Sequence, residues 1–436
     1  MVIKYKSNND CVHEEYKARR SGRRPMLIVL ALSFLPFQIL IAQDNSFTFQ
    51  SAVLSIALLV LSLMFDKKSY RIGKFDNLFL FGFLFIMGFG CLMTVIVAPE
   101  MVVTTLLLRM GLFTVILLFF FLETTRRWSC DELLLVIRSV ALSVAASTFL
   151  VFSEYIKSGN YGGRIYPLSL TGHFIDANYF ALLVVLQLSF AIMMAFYERK
   201  LILRLLGFAL SGFAFISIVL TGSRSGLLCA GLITILSIAA FYRDKVTKKL
   251  VTSFLLVVCL CLGFVAVSSF VSDWLFNRFF VASYDDGSNQ FRVELWIRAV
   301  QRWAQRPVFG YGIGNYNYFA SSDWGETVTG VTTHGTLTDF LVDFGAAGLC
   351  LFIACQLRFL QFAFRSRDYA LLACVPGITI CWIIIGAERS VALWLYLITF
   401  TVISGFCFRN GCTVSTLFRR EELNESKYHF GDVQRR

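Results

Sequence analysis

Apolar residues in this chain come in runs of about twenty, the length a helix needs to cross a hydrocarbon layer of ~30 Å at ~1.5 Å per residue. Read this way, the pattern predicts twelve spans, and the first six lie near residues 26–42, 47–65, 78–98, 101–122, 133–152 and 179–197. The other six lie near 201–220, 226–242, 250–271, 337–357, 370–386 and 391–407. Four of the intervening breaks are unusual. Residues 153–178 and 272–336 are long, Thr221–Gly226 is a tight polar turn between two apolar helices, and 387–390 places Glu388 and Arg389 between two others. If the spans alternate in direction, all four fall on one side. No internal repeat, low-complexity tract or linker interrupts the pattern. We therefore expect one membrane domain over 26–407, flanked by a basic tail at 1–25 and a second tail at 408–436.

Inside the longest polar segment, Phe291–Gln305 has a helical period. Arg292, Trp296, Ala299 and Trp303 share one side, whereas Glu294, Arg298 and Arg302 take the other at spacings that suit a solvated face with a Glu-to-Arg pair. Arg292 has two readings. It snorkels, its stem covering a tryptophan, or it points inward toward an anionic ligand. The turn that follows, from Pro307 through Gly310, Tyr311, Gly312 and Gly314 to Tyr316, permits close backbone approach to a ligand or to a helix. A phosphate-loop reading fails, because no strand precedes this turn and no lysine follows it.

Composition agrees with the pattern. The chain is 57% hydrophobic and 16% charged, against about 25% charged in soluble domains. Its net charge is +12, and most of its Lys and Arg residues crowd into alternate segments, as the positive-inside rule requires when both tails are cytoplasmic. The charge therefore records topology and attraction to anionic membrane lipid, and nucleic acid is excluded as a partner. The basic tail before Met26 reads as a cytoplasmic segment ahead of an uncleaved first span. The 12 cysteines lie in predicted spans or cytoplasmic segments, so neither disulfides nor a zinc or iron–sulfur centre is expected.

The candidate chemistry lies on the outer side. Arg224 stands where hydrocarbon almost resumes, and a charge held there is costly, so we expect it to be functional. His334, just before the tenth span, reads either as a satisfied interfacial side chain or as a general base suited to neutral pH. Asp339 and Asp343 do not share its helical side. Arg164, His173, Asp176 and Asn178 precede the sixth span, where Asp176 and Asn178 read as helix caps or as contacts to sugar hydroxyls. All five cations of the long outer segment are arginine, the better bidentate partner for phosphate oxygens.

Together these motifs resemble the bacterial O-antigen polymerase and ligase superfamily of membrane glycosyltransferases. The resemblance runs from about Arg164 to Gly348, through Gly172–Asn178, Thr221–Gly226, then Arg292, Trp296, Ala299, Pro307, Gly310, Gly312 and Gly314, and closes with His334 and the Gly345–Gly348 pair. It implies a GT-C-like all-α fold of about twelve transmembrane helices in the bacterial inner membrane, with a large, partly helical periplasmic loop before the tenth span. The implied donor is a glycan on undecaprenyl pyrophosphate. The acceptor is a second glycan for a polymerase or lipid A core for a ligase, with a chain-length regulator as an implied partner and no cofactor or metal.

Carried over residue by residue, Arg224 and Arg292 would bind the pyrophosphate and His334 would sit beside the acceptor hydroxyl. Arg164, Asp176, Asn178, Tyr311, Glu388 and Arg389 would contact the glycan or acceptor. One departure is visible: family members often carry asparagine after this histidine, and Gly335 stands there. The main rival class is a twelve-span secondary transporter. Its usual signs, repeated halves and glycine- or proline-broken helices in matched positions, are not apparent in the pattern.

Overall fold

The computed structural model describes residues 26–42, scattered positions within 54–61 and 82–96, and then 128–159, 164–243, 287–312, 334–385 and 390–419. The predicted spans at 101–122 and 250–271, most of those at 47–65 and 78–98, the tail at 1–25, residues 420–436 of the second tail, and Glu388 and Arg389 lie outside the described residues.

The described chain is helical: α1 (Met26–Phe34), α2 (Cys130–Ser158), α3 (Ala177–Tyr197), α4 (Leu201–Leu220), α5 (Arg224–Phe241), α6 (Gly287–Gln305), α7 (Thr336–Arg365), α8 (Tyr369–Ile384) and α9 (Val391–Asn410). Five helices are long and apolar enough to cross a membrane: α2 to α5, and α7 over Thr336–Ala354. Three more, α1, α8 and α9, coincide with other predicted spans. Among the described residues the β structure is an isolated bridge between Leu168 and Phe174.

Local chemistry sets several ends. Ser129 accepts from the Glu132 N–H while Glu132 accepts from the Ser129 N–H, a capping box that starts α2. This helix runs on to Ser158, so the polar segment expected from residue 153 begins six residues later. At Pro36, which lacks an N–H, the first span has already tightened into a 3₁₀ helix over Leu35–Ile41.

Lipid tails are as apolar as leucine, so helix association in a bilayer rests on close packing and interhelical hydrogen bonds. Small residues sit where that demands. A Cβ on Gly226 of α5 would lie 2.8 Å from Cβ of Ala181 in α3, and one on Gly377 of α8 would meet the Cys229 carbonyl of α5 at 2.8 Å. The buried Ser147 hydroxyl of α2 donates to Gln187 of α3 at 2.9 Å. α3 is buried on nearly every side and forms the bundle centre. By contrast, α4 turns Leu205, Phe208 and Phe213 outward, the surface a lipid-facing helix presents.

One end of the bundle is tied by carboxylates. Glu198, buried at the α3–α4 junction, accepts from Nε and Nη2 of Arg138 at 2.9 and 2.6 Å and from the N–H groups of Arg199 and Lys200. Arg138, a cation inside the predicted span at 133–152, thus has its partner sixty residues away. Asp368, between α7 and α8, accepts from the N–H groups of Leu371 and Val414 at 3.4 and 2.7 Å. Burial pushes its carboxyl up to about 6, although those N–H donors pull it down.

The tenth span corrects the sequence reading. Instead of one straight helix over 337–357, α7 extends over Thr336–Arg365 and breaks at Gly345, where φ is +66° and ψ −169°. An unbroken helix was expected from the apolar run, because hydropathy does not register a single left-handed residue. A second interruption, Pro376, lies inside α8. The break also redirects the chain. Phe362 of α7 stacks on Phe408 of α9 at 5.4 Å, and counting back seventeen residues from each brings Gly345 level with Val391, where α9 begins. Thr336 is held to the end of α8 through its hydroxyl, which donates to the Ile385 carbonyl at 2.7 Å. Both ends of Thr336–Phe344 therefore stand at the same level, so this piece runs across the bundle end, and the remainder of α7, twenty residues or ~30 Å, makes the crossing.

Candidate functional site

Arg243 stacks over the Tyr369 ring at 4.2 Å, and Gly377 abuts Cys229 and Ile233, so α5 and α8 run antiparallel. Five to nine residues beyond the Gly377 contact, this pair reaches Arg224 on one helix and Ile385 on the other. Because Thr336 bonds to Ile385, Arg224 and His334 stand at the same end of the bundle. Arg164 is there too, through direct contact with the Arg224 turn.

That turn is built by short-range rules. Thr221 ends α4, Gly222 takes φ +61°, and the Ser223 hydroxyl accepts from the Gly226 N–H to cap α5, whose first residue is Arg224. Arg164 then locks it from outside. Its Nε donates to the Thr221 carbonyl at 2.9 Å and its Nη2 to Oδ1 of Asn178 at 2.8 Å, while the Ser223 hydroxyl donates to the same Oδ1 at 3.3 Å. The neighbouring Ile165 N–H donates to the Leu220 carbonyl. Two motifs forty-five residues apart in sequence are thereby one structure. Asp176, the other capping candidate, does cap α3, accepting from the N–H groups of Asn178 and Tyr179. Asn178 instead joins Arg164 to Ser223. His173 is exposed in the hairpin bridged by Leu168 and Phe174.

Across this end lies α6, which begins four residues before the expected Phe291. Its solvated Glu294 and Arg298 pair at 2.6 Å, one helical turn apart, as the spacing predicts. Leu295 and Ala299 are fully buried, and Arg292 and Trp296 flank them half-buried on the same side. Trp296 reaches the strand-like link into α7: a Cβ on Gly335 would lie 2.9 Å from its Nε1 and 2.8 Å from the Thr338 hydroxyl. The missing side chain at Gly335 is what admits the indole. His334 itself is half-buried with φ +53°, a left-handed conformation in which histidine is enriched among non-glycine residues. Such strain, when the surroundings hold it, points to a functional position.

The glycine-rich turn answers whether its backbone approaches a ligand or a helix. The N–H groups of Tyr311 and Gly312 donate to the carbonyls of Val342 and Asp343, each at 2.9 Å. In return, Ala346 and Ala347 donate to Pro307 and Val308 at 2.8 and 3.1 Å. Carbonyls and amides orphaned by the break at Gly345 are satisfied by this turn, which a low-dielectric setting requires. Gly310 and Gly345 are needed on both sides, since a Cβ on either would overlap the other segment's backbone. Tyr311 is buried, donates its hydroxyl to Gln305 at 2.7 Å and lies under the Arg306 guanidinium. Its role here is to hold the turn.

The structure thus gathers Arg164, Asp176, Asn178, Arg224, Arg292 and His334 at one bundle end, with Tyr311 beneath α6. Sequence reasoning did not reach Thr336, and it named the segments holding Ser223 and Gly345 without assigning the cap at the one or the break at the other; only the cap, a serine ahead of an apolar run, carried a readable signal. Fold and site define a polytopic helical membrane protein with a cationic, helix-lined end. Residues 208–353, from α4 into α7, match the family model described as O-antigen ligase. The match supports the O-antigen polymerase and ligase superfamily for this chain, and it spans Arg224, Arg292 and His334. No curated protein matches the chain.

Proposed function

We propose that this protein is an inner-membrane glycosyltransferase that joins undecaprenyl-pyrophosphate-linked repeat units into O-antigen or a related surface polysaccharide at the periplasmic face. The observation that supports the reading is that Arg224, His334 and the Arg292–Trp296 side of α6 lie at the same end of the bundle. Displacing a sugar from pyrophosphate builds charge on the leaving oxygens. Arg224, at the N-terminus of α5 where the helix dipole also favours anions, and Arg292 supply fixed positive charge at that point. His334 takes the proton of the attacking hydroxyl, a contribution of typically 10²- to 10⁴-fold. Attack opposite the leaving group inverts the anomeric centre. Asp176 and Asn178, which order the Arg164–Ser223 junction beside Arg224, are the candidates for contact with the acceptor glycan.

A second reading, transfer of the glycan to lipid A core, is favoured by the description of the matched family. Deleting the gene and separating the surface polysaccharide on a gel distinguishes the two. Loss of polymerase leaves single repeat units on lipid A core, whereas loss of ligase leaves no attached glycan and undecaprenyl-linked polymer accumulates. Arg224→Ala, Arg292→Ala and His334→Ala are each expected to abolish complementation while the protein still inserts; full activity of Arg224→Ala would sink the pyrophosphate assignment.

A further inference from the structure

α6 touches its neighbour at two places. Trp296 lies against Gly335, and the turn after α6 is bonded to Val342–Ala347. The two contacts follow in the same order along both segments, Trp296 with Gly335 and then residues 307–312 with 342–347, so α6 runs alongside Thr336–Phe344 in the same direction. Since that piece crosses the bundle end at one level, α6 also lies across the end.

Around its axis α6 has three sectors. Leu295, Ala299, Arg292, Trp303 and Trp296 occupy about 100° of arc and meet the protein. The next sector is apolar yet uncovered: Val293 is 51% exposed, Ile297 54% and Val300 45%. The third holds Glu294, Arg298, Gln301 and Arg302. In water the middle sector would be an unexplained apolar stripe beside a charged one; at a bilayer surface this is the profile of an interfacial helix, with its apolar side among acyl chains and its arginines at the phosphates. Val308, 55% exposed just past the helix, adds to the exposed apolar surface, and α4 elsewhere in the bundle presents an outward face of the same kind.

We propose that α6 is seated in the outer leaflet, with Val293, Ile297 and Val300 inserted among lipid acyl chains, and that this seating fixes Arg292 and Trp296 at the height of lipid phosphate groups. The occupant of the stripe is bilayer lipid. This inference rests on the membrane spans and the placement of α6 and holds whether or not the protein transfers sugars.

The test places a benzoylphenylalanine photo-crosslinker singly at Val293, Ile297 or Val300, and at Glu294 or Gln301 as controls, in the full-length protein reconstituted in phosphatidylglycerol–phosphatidylethanolamine nanodiscs. After illumination, mass spectrometry is expected to show the α6 peptide shifted by one phospholipid at the three apolar positions and unshifted at the two controls. Equal lipid labelling at all five positions, no lipid labelling at the apolar three, or crosslinks there to a second copy of the chain would each overturn the proposal. Because the substituted positions are all exposed, folding is preserved, and the readout is independent of activity.

Discussion

Replacing Arg164 with lysine separates a residue that touches substrate from one that holds the Arg224 turn. The guanidinium bridges two acceptors at once, the Thr221 carbonyl at 2.9 Å through Nε and Asn178 at 2.8 Å through Nη2, and lysine, whose donors sit on one nitrogen, does not reproduce that planar fork. One charged hydrogen bond is lost, about 1.5–3 kcal/mol, and a partly buried acceptor is left wanting. Released on one side, the turn lets Arg224 drift; a misplacement of ~1 Å at a charge-stabilising group costs about 10²-fold in rate. Arg164→Lys is therefore expected to lose that much turnover on a lipid-linked donor in proteoliposomes, with a lower unfolding temperature in detergent. Asn178→Ala keeps the arginine and removes one leg of the clamp, so it should be impaired as well. The double variant should be little worse than either single one, as for two residues acting through one structure. Full activity of Asn178→Ala beside an inactive Arg164→Lys would refute the clamp and make Arg164 a direct ligand contact.

Further expectations concern the scaffold. Gly345→Ala puts a side chain at φ +66° and against the Val308 carbonyl, so it should cost upwards of ~2 kcal/mol in thermal unfolding, whereas Gly231→Ala, with open space around it, should be neutral or stabilising. Arg138→Ala strands the buried Glu198 carboxylate and is expected to destabilise by about 3–5 kcal/mol, with Arg138→Ala/Glu198→Gln recovering part of the loss. Asp368 has its folded-state carboxyl raised to about 6, above the ~3.9 of an unfolded aspartate, so the folded state holds the proton more tightly. Its contribution is most favourable at low pH and is lost as pH rises from ~4 to ~6, a change of about 3 kcal/mol. Unfolding temperatures across that window should fall more for the native protein than for Asp368→Asn; parallel curves would remove Asp368 as the cause.

Hydropathy and charge alone determined that the chain is a helical membrane protein, where α3, α4, α5 and α9 begin and end within a few residues, and that Arg224 stands at a helix junction. These follow from rules acting over one span: apolar length, capping residues, and the cost of burying charge. The period of α6 likewise foretold its Glu294–Arg298 pair. What only the tertiary structure decided are relations between distant segments. Arg164 meeting Thr221, Trp296 filling the place beside Gly335, and the glycine turn satisfying the broken backbone at Gly345 all join residues separated by about 35 to 60 positions. A one-dimensional pattern holds no record of such pairs. Gly345 shows the limit most plainly: its neighbours are apolar enough to read as one continuous span, yet a single left-handed residue turns the helix sideways and carries His334 and α6 across the end where Arg224 waits.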